Sequence, residues 1–146
     1  MIPWFSNSQH TQRTIILQKK AIRHITNAKY NSHTDPLFQN LKLLKIEDLY
    51  TINCCKLYLR AKHDLLPHKL GVNLQSNLEF HNINTRQAGD IHVPSLAQNL
   101  NNQLSNFKIG QAWNSLPQHL KAENARPQFL VPYLRNHFFE SYDFMI

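Results

Sequence analysis

The sequence predicts an all-α protein: an irregular bundle of about five to six helices, interrupted by a long extended connection near residues 71–94. Three observations point there. Apolar residues recur at helical spacing through 11–28, 46–63 and 127–142. Glycine is scarce, with 3 in 146 residues, where about ten are usual. Few glycines imply few positive-φ turns, which disfavours hairpin-rich barrels and glycine-cradled nucleotide sites. Between Gly71 and Gly89 no 3.6-residue period survives. At this length one domain is expected, divided into a basic helical part over 1–70, the connection at 71–94 and a neutral helical part over 95–146.

The first helix is expected over 11–28, with Thr11 as its N-cap. On a helical wheel Ile15, Leu17, Ala21, Ile22 and Ile25 fill one arc. Arg13, Lys19, Lys20, Arg23 and His24 fill the other, with Ile16 among them. Thr34 or Asp35 can cap a short helix over 36–42, with Pro36 in its first turn. A longer helix follows over 46–63. It carries two apolar lines, Ile46, Tyr50, Cys54, Leu57, Tyr58 and Ala61, and Leu49, Ile52 and Leu59, so it needs more than one neighbour. A short strand fits Ile91-His92-Val93 within the connection. Helical pattern returns over 95–104, 106–116 and 117–123. The last helix is expected over 127–142, kinked or restarted by Pro132.

Charge is unevenly placed. Residues 1–73 hold 11 lysines and arginines against 4 acids, whereas 74–146 hold 5 of each. No acid occurs between 11 and 28. A basic, acid-free helical face is the electrostatic footprint of a phosphate-tracking surface. Arg13, Lys19, Lys20 and Arg23 are therefore the candidate nucleic-acid contacts on this helix. The 16 asparagines and 11 glutamines read as genome composition.

Several classes lack their residues. Cys54 and Cys55 are adjacent, so they are poor disulfide partners, and a reducing intracellular compartment, nucleus or cytoplasm, is expected. Cys54 reads as a small core residue. The longest apolar run, Phe129 to Leu134, is far short of the ~20 residues a membrane span needs. The nine histidines are scattered, and there is no phosphate loop, nucleophile elbow or metalloprotease motif. No membrane, metal, cofactor or small-molecule substrate is expected, and no catalytic residue is assigned.

Six landmarks stand in a distinctive order. They are Leu17-Gln18-Lys19-Lys20-Ala21-Ile22-Arg23, His33-Thr34-Asp35-Pro36-Leu37-Phe38, Leu44-Lys45-Ile46-Glu47-Asp48-Leu49-Tyr50 with Leu66-Pro67 after it, His81-Asn82-Ile83-Asn84-Thr85-Arg86, Gly110 leading into Trp113-Asn114-Ser115-Leu116-Pro117, and the closing Phe129, Leu134 and Tyr142. Together they resemble the region downstream of the polymerase core in reverse transcriptases of non-LTR, LINE-type (jockey-like) retrotransposons. The resemblance spans nearly the whole chain. It implies a C-terminal fragment of an RNA-directed DNA polymerase, whose partners would be RNA or DNA and the polymerase core. The family's paired catalytic aspartates have no counterpart here, so the resemblance implies a part that does not itself polymerise. Phe5, Ile83 and Pro132 depart from the family's pattern and fit a decayed element copy, a packing remnant with no independent activity.

Three marked residues carry two readings each. Arg86, the only lysine or arginine between Lys69 and Lys108, suits a phosphate through its fork or a structural clamp on helix-end carbonyls. Trp113 can stack on a base or anchor the core at a helix end. Asn84 and Thr85 can support Arg86 or form a local turn. Trp113, Asn114 and Pro117 are expected to form a structural motif.

Overall fold

The computed structural model describes residues 9–67, 74–93, 100–121 and 126–142. Six α-helices occur among them: α1 Gln9–Ile25, α2 Asp35–Asn40, α3 Ile46–Lys62, α4 Asn77–His81, α5 Leu100–Asn114 and α6 Pro127–Ser141. A 3₁₀ turn spans Gln118–Leu120. The all-α expectation therefore holds. The residues fall into two compact units, Met1–Tyr50 with Leu134–Ile146, and Thr51–Tyr133. Helices α3 and α6 contribute to both.

The first unit buries Ile22 of α1, Phe38 of α2, Leu44, Leu134 of α6 and Tyr142. Its organising feature is the start of α3. Lys45 precedes the helix and cannot cap it, because an ammonium accepts no hydrogen bond. The orphan N–H groups find distant partners instead. Ile46 N–H donates to Gln18 Oε1 at 3.1 Å, and Gln18 Nε2 donates to the Leu44 carbonyl at 3.1 Å. Lys45 N–H donates to the Tyr142 hydroxyl at 3.0 Å, and that hydroxyl donates to Asp48. Lys45 Nζ pairs with Asp35 at 2.9 Å and lies 4.3 Å from the centre of the Tyr142 ring.

These bonds correct the expected face of α1. The docked side runs along Thr11, Gln18 and Ile22, because the Gln18 amide must reach Leu44 and Ile46. Leu17 and Ile25 are each 63% exposed, and Ala21 is exposed as well. Thr11 is not a cap, since α1 begins at Gln9. Thr34 holds the N-cap position of α2 without a side-chain bond, and Pro36 lies in the first turn as expected.

The second unit buries Ile52, Cys54, Cys55, Tyr58 and Leu59 of α3 with Ile91, Ile109, Trp113, Leu116, Leu120 and Leu130. Tyr58 and Trp113 pack with ring centres 4.6 Å apart. Both cysteines are free thiols, and burial pushes Cys55 up to about 12.

Over 74–93 the connection is not extended throughout. Ser76 and Glu79 form a reciprocal capping box, which nucleates α4. The expected strand at 91–93 is a single antiparallel bridge, Ser76 to Ile91. On its other side Ile91 meets Asn114, whose Oδ1 accepts from Ile91 N–H and whose Nδ2 donates to Ile91 C=O, both at 2.9 Å. Lys121 Nζ secures the same corner, bonding Asp90 at 2.9 Å and the Asn114 carbonyl at 2.8 Å. Gly110 permits this approach. A Cβ there would lie 2.8 Å from Val93 Cγ2 and 3.4 Å from Ile91 Cγ2.

Other elements also differ from expectation. Residues 100–114 form one helix without a break near 105, and the described part of 117–123 is the 3₁₀ turn, with 122–123 outside the described residues. The 95–99 part of that reading lies outside the described residues. Helix α6 runs from Pro127 through Pro132 without restarting. Scarce glycine did not mean scarce positive φ. Asn27, Lys42 and Asp64 have φ of 51°, 51° and 54° just past the ends of α1, α2 and α3. Each end closes with the paired backbone bonds of a Schellman motif, such as Ala28 N–H to Arg23 C=O and Asn27 N–H to His24 C=O.

Three outcomes follow from these contacts. Asp64→Gly is expected to stabilise the chain by about 0.5–1 kcal/mol, because it relieves a left-handed residue and removes a carboxylate from a helix C-terminus; urea titration measures it. Asn114→Ala strands both polar groups of buried Ile91 and should cost about 2–4 kcal/mol; a loss under half a kilocalorie by the same titration would remove Asn114 from its structural role. Asp48 supplies a pH test. Its carboxyl is pushed up chiefly by burial, against the opposing pull of the Tyr142 bond and Lys45. A carboxyl harder to ionise when folded penalises folding above its folded pKa, and the penalty fades as pH falls toward its ordinary value. Asp48→Asn keeps an acceptor for Tyr142. Its stability relative to the unmodified chain should therefore rise as the pH climbs from the carboxyl's ordinary range through its raised folded pKa. A pH-independent difference between the two denaturation curves contradicts the half-buried, pKa-raised carboxylate.

Candidate nucleic-acid interface

Helix α1 ends on a depression of about 510 Å³ lined by Lys20, Arg23, His24, Asn27, Ala28 and Tyr30. The helix places Lys20, Arg23 and His24 within its last two turns. The left-handed Asn27 then folds the chain back, and Tyr30 stands beside them 81% exposed. Arg23 Nε donates to the Ser32 carbonyl at 3.0 Å, which fixes the guanidinium at the rim. Cations here also complement the negative end of the helix dipole. Among the described residues no acidic side chain lines the depression.

The other marked residues separate. Arg13 is exposed on the turn of α1 that carries the same line as Lys20 and His24, seven residues before Lys20. Lys19 is half-buried on a different side of the helix. Arg86 opens the turn over 86–89 in the other unit, exposed and without a side-chain partner among the described residues. The carbonyl clamp read for it is not formed there. His24 and Tyr30 complete the depression. His24 was legible on the basic arc; Tyr30 carried no signal, since only the reversal at Asn27 brings it back.

The second marked group is structural. Trp113 is 3% exposed against Tyr58, which takes it out of reach of a base. Its indole N–H has no hydrogen-bond partner among the described residues. Asn114 clamps Ile91, and Pro117 leads the 3₁₀ turn that buries Leu120.

Among the described residues no three histidine, cysteine or acidic side chains group as metal ligands. No helix among them is long and apolar enough to cross a membrane. No protein-family profile, curated protein or solved structure matches the chain.

Proposed function

We propose that the chain binds the phosphate backbone of RNA or DNA without sequence specificity, through the C-terminal half of α1. One observation carries this reading. Lys20, Arg23 and His24 converge on a depression that no described acid lines, beside an exposed tyrosine. Cations in that arrangement release condensed counterions when they meet phosphates, and an aromatic face nearby suits an unpaired base. Arg13 extends the contact along the helix, while Lys19 and Arg86 are the weaker members of the set. The order of the sequence landmarks supports a place in a retroelement RNA-directed DNA polymerase, as a non-catalytic C-terminal part acting inside the cell. Phosphoryl transfer is not assigned to this chain, because it has no paired aspartates to hold two metals.

A second reading is favoured by a different surface. Ile16, Leu17 and Ile25 of α1 are 51%, 63% and 63% exposed. A helix with that much uncovered apolar surface suits a packing element whose neighbour is the polymerase core.

Titration of labelled single-stranded RNA and DNA at two salt concentrations tests the proposal. Binding on the order of micromolar is expected at low salt, with a log–log salt slope of about −0.7 per phosphate contact. Lys20→Glu with Arg23→Glu should weaken it about tenfold or more and flatten the slope by about 1.4. Undiminished binding by that variant sinks the site. No binding at low salt sinks the function and leaves the packing reading.

A further inference from the structure

A second cationic site lies in the Thr51–Tyr133 unit, on residues unrelated to α1. Lys56 and Arg60 stand four apart on α3 and so share a face. The chain turns at Asp64, where the left-handed conformation ends the helix and brings Leu65 back against its last turn. Far along the sequence, Arg126 precedes α6, and its carbonyl accepts from the N–H groups of Phe129 and Leu130 at 3.0 Å each. Lys56, Arg60, His63, Leu65, Arg126, Pro127 and Gln128 line one cleft of about 540 Å³.

Among the described residues no acid lines this cleft. Lys56, Arg60 and Arg126 are exposed, and none has an ion-pair partner among the described residues. Three cations held within one cleft repel one another, and an anion between them relieves that repulsion. Two guanidinium forks match phosphate oxygens in pairs, and Lys56 adds a point charge. The start of the α6 dipole adds positive potential on the same side. The walls are not uniformly polar. Leu65 is 58% exposed, and Pro127 offers a ring face. A cleft of this volume with an apolar wall and convergent cations suits a small ligand rather than a bare ion.

The geometry points to a nucleoside-phosphate site, with the phosphate held by Lys56, Arg60 and Arg126 and the sugar and base against Leu65 and Pro127. The same chemistry occurs in a free nucleotide and at the phosphorylated end of a strand. The site stands independently of the α1 reading, which uses other residues.

Calorimetric titration of the full chain with ADP, adenosine, and a hexanucleotide with and without a 5′-phosphate tests it. Saturable binding of ADP is expected, with adenosine at least about tenfold weaker. The 5′-phosphorylated strand exceeding its 5′-hydroxyl form identifies a strand end as the source. ADP binding with no difference between the two strands identifies the free nucleotide. Arg60→Gln with Arg126→Gln should weaken ADP by at least about tenfold, whereas Lys20→Glu with Arg23→Glu should leave it unchanged. Equal binding of ADP and adenosine, or undiminished binding by the Arg60/Arg126 variant, overturns the site. If that variant does not fold, amide chemical shifts of the unmodified chain decide. Saturating ADP should move the signals of 56–65 and 126–130, and their silence overturns the proposal.

Discussion

The first turn of α3 has to be capped from a distance, and the first unit is arranged around that need. Lysine at the position before the helix offers no acceptor, and the half-buried helix start is partly shielded from water. Gln18 answers from 28 residues away and Tyr142 from 97. Because the Tyr142 hydroxyl accepts from Lys45 and donates to Asp48, its position is fixed from two sides. Burial and the adjacent Asp48 push that hydroxyl's pKa up, so it stays a donor across the ordinary pH range. Tyr142 also sets Phe38 edge-on, with ring centres 6.5 Å apart. The cap, the aromatic core and the end of α6 are thus one set of contacts.

The second unit solves a related problem with the same chemistry. Ile91 is 1% exposed and lies outside any sheet, so half of its backbone bonding has no strand to meet it. The Asn114 amide replaces the missing strand, since a carboxamide carries a donor and an acceptor in the geometry of a peptide group. Gln18 does the same between Leu44 and Ile46. Asn27 and Asn82 take left-handed positions that glycine often fills. These few residues give part of the amide content a structural use that composition alone did not show.

Much of the fold was legible because helix periodicity is local. The ranges of α1, α2, α3 and α6 were close to those observed, since each is set by its own apolar spacing and by nearby proline. What failed was non-local. The stripe Leu17, Ala21 and Ile25 is a sound wheel pattern, yet the Gln18 amide decides which side docks. The Ser76–Glu79 capping box was a local signal passed over among Asn, Gly and Asp residues. The left-handed end at Lys42 was hidden because lysine gives no hint of positive φ, whereas Asn27 and Asp64 are of the types that tolerate it. For the candidate site, the acid-free run on α1 was readable, but the depression depends on the reversal at Asn27. The cleft on α3 was not readable at all. Lys56 and Arg60 fall outside the apolar lines of α3, and Arg126 joins them only through the fold.

The placement of acids explains why these cationic surfaces persist. Asp35 is tied to Lys45, and Asp90 to Lys121. Asp48 is held under the Tyr142 hydroxyl, and Glu79 completes the α4 capping box. Each of these carboxylates is stationed where a helix start or a buried lysine requires it. None of them lines the α1 depression or the α3 cleft. The net charge of +7 is therefore not a uniform coat of lysine. Two of its concentrations are surfaces that these four carboxylates do not line, and there the chain has a strong electrostatic reason to meet an anion.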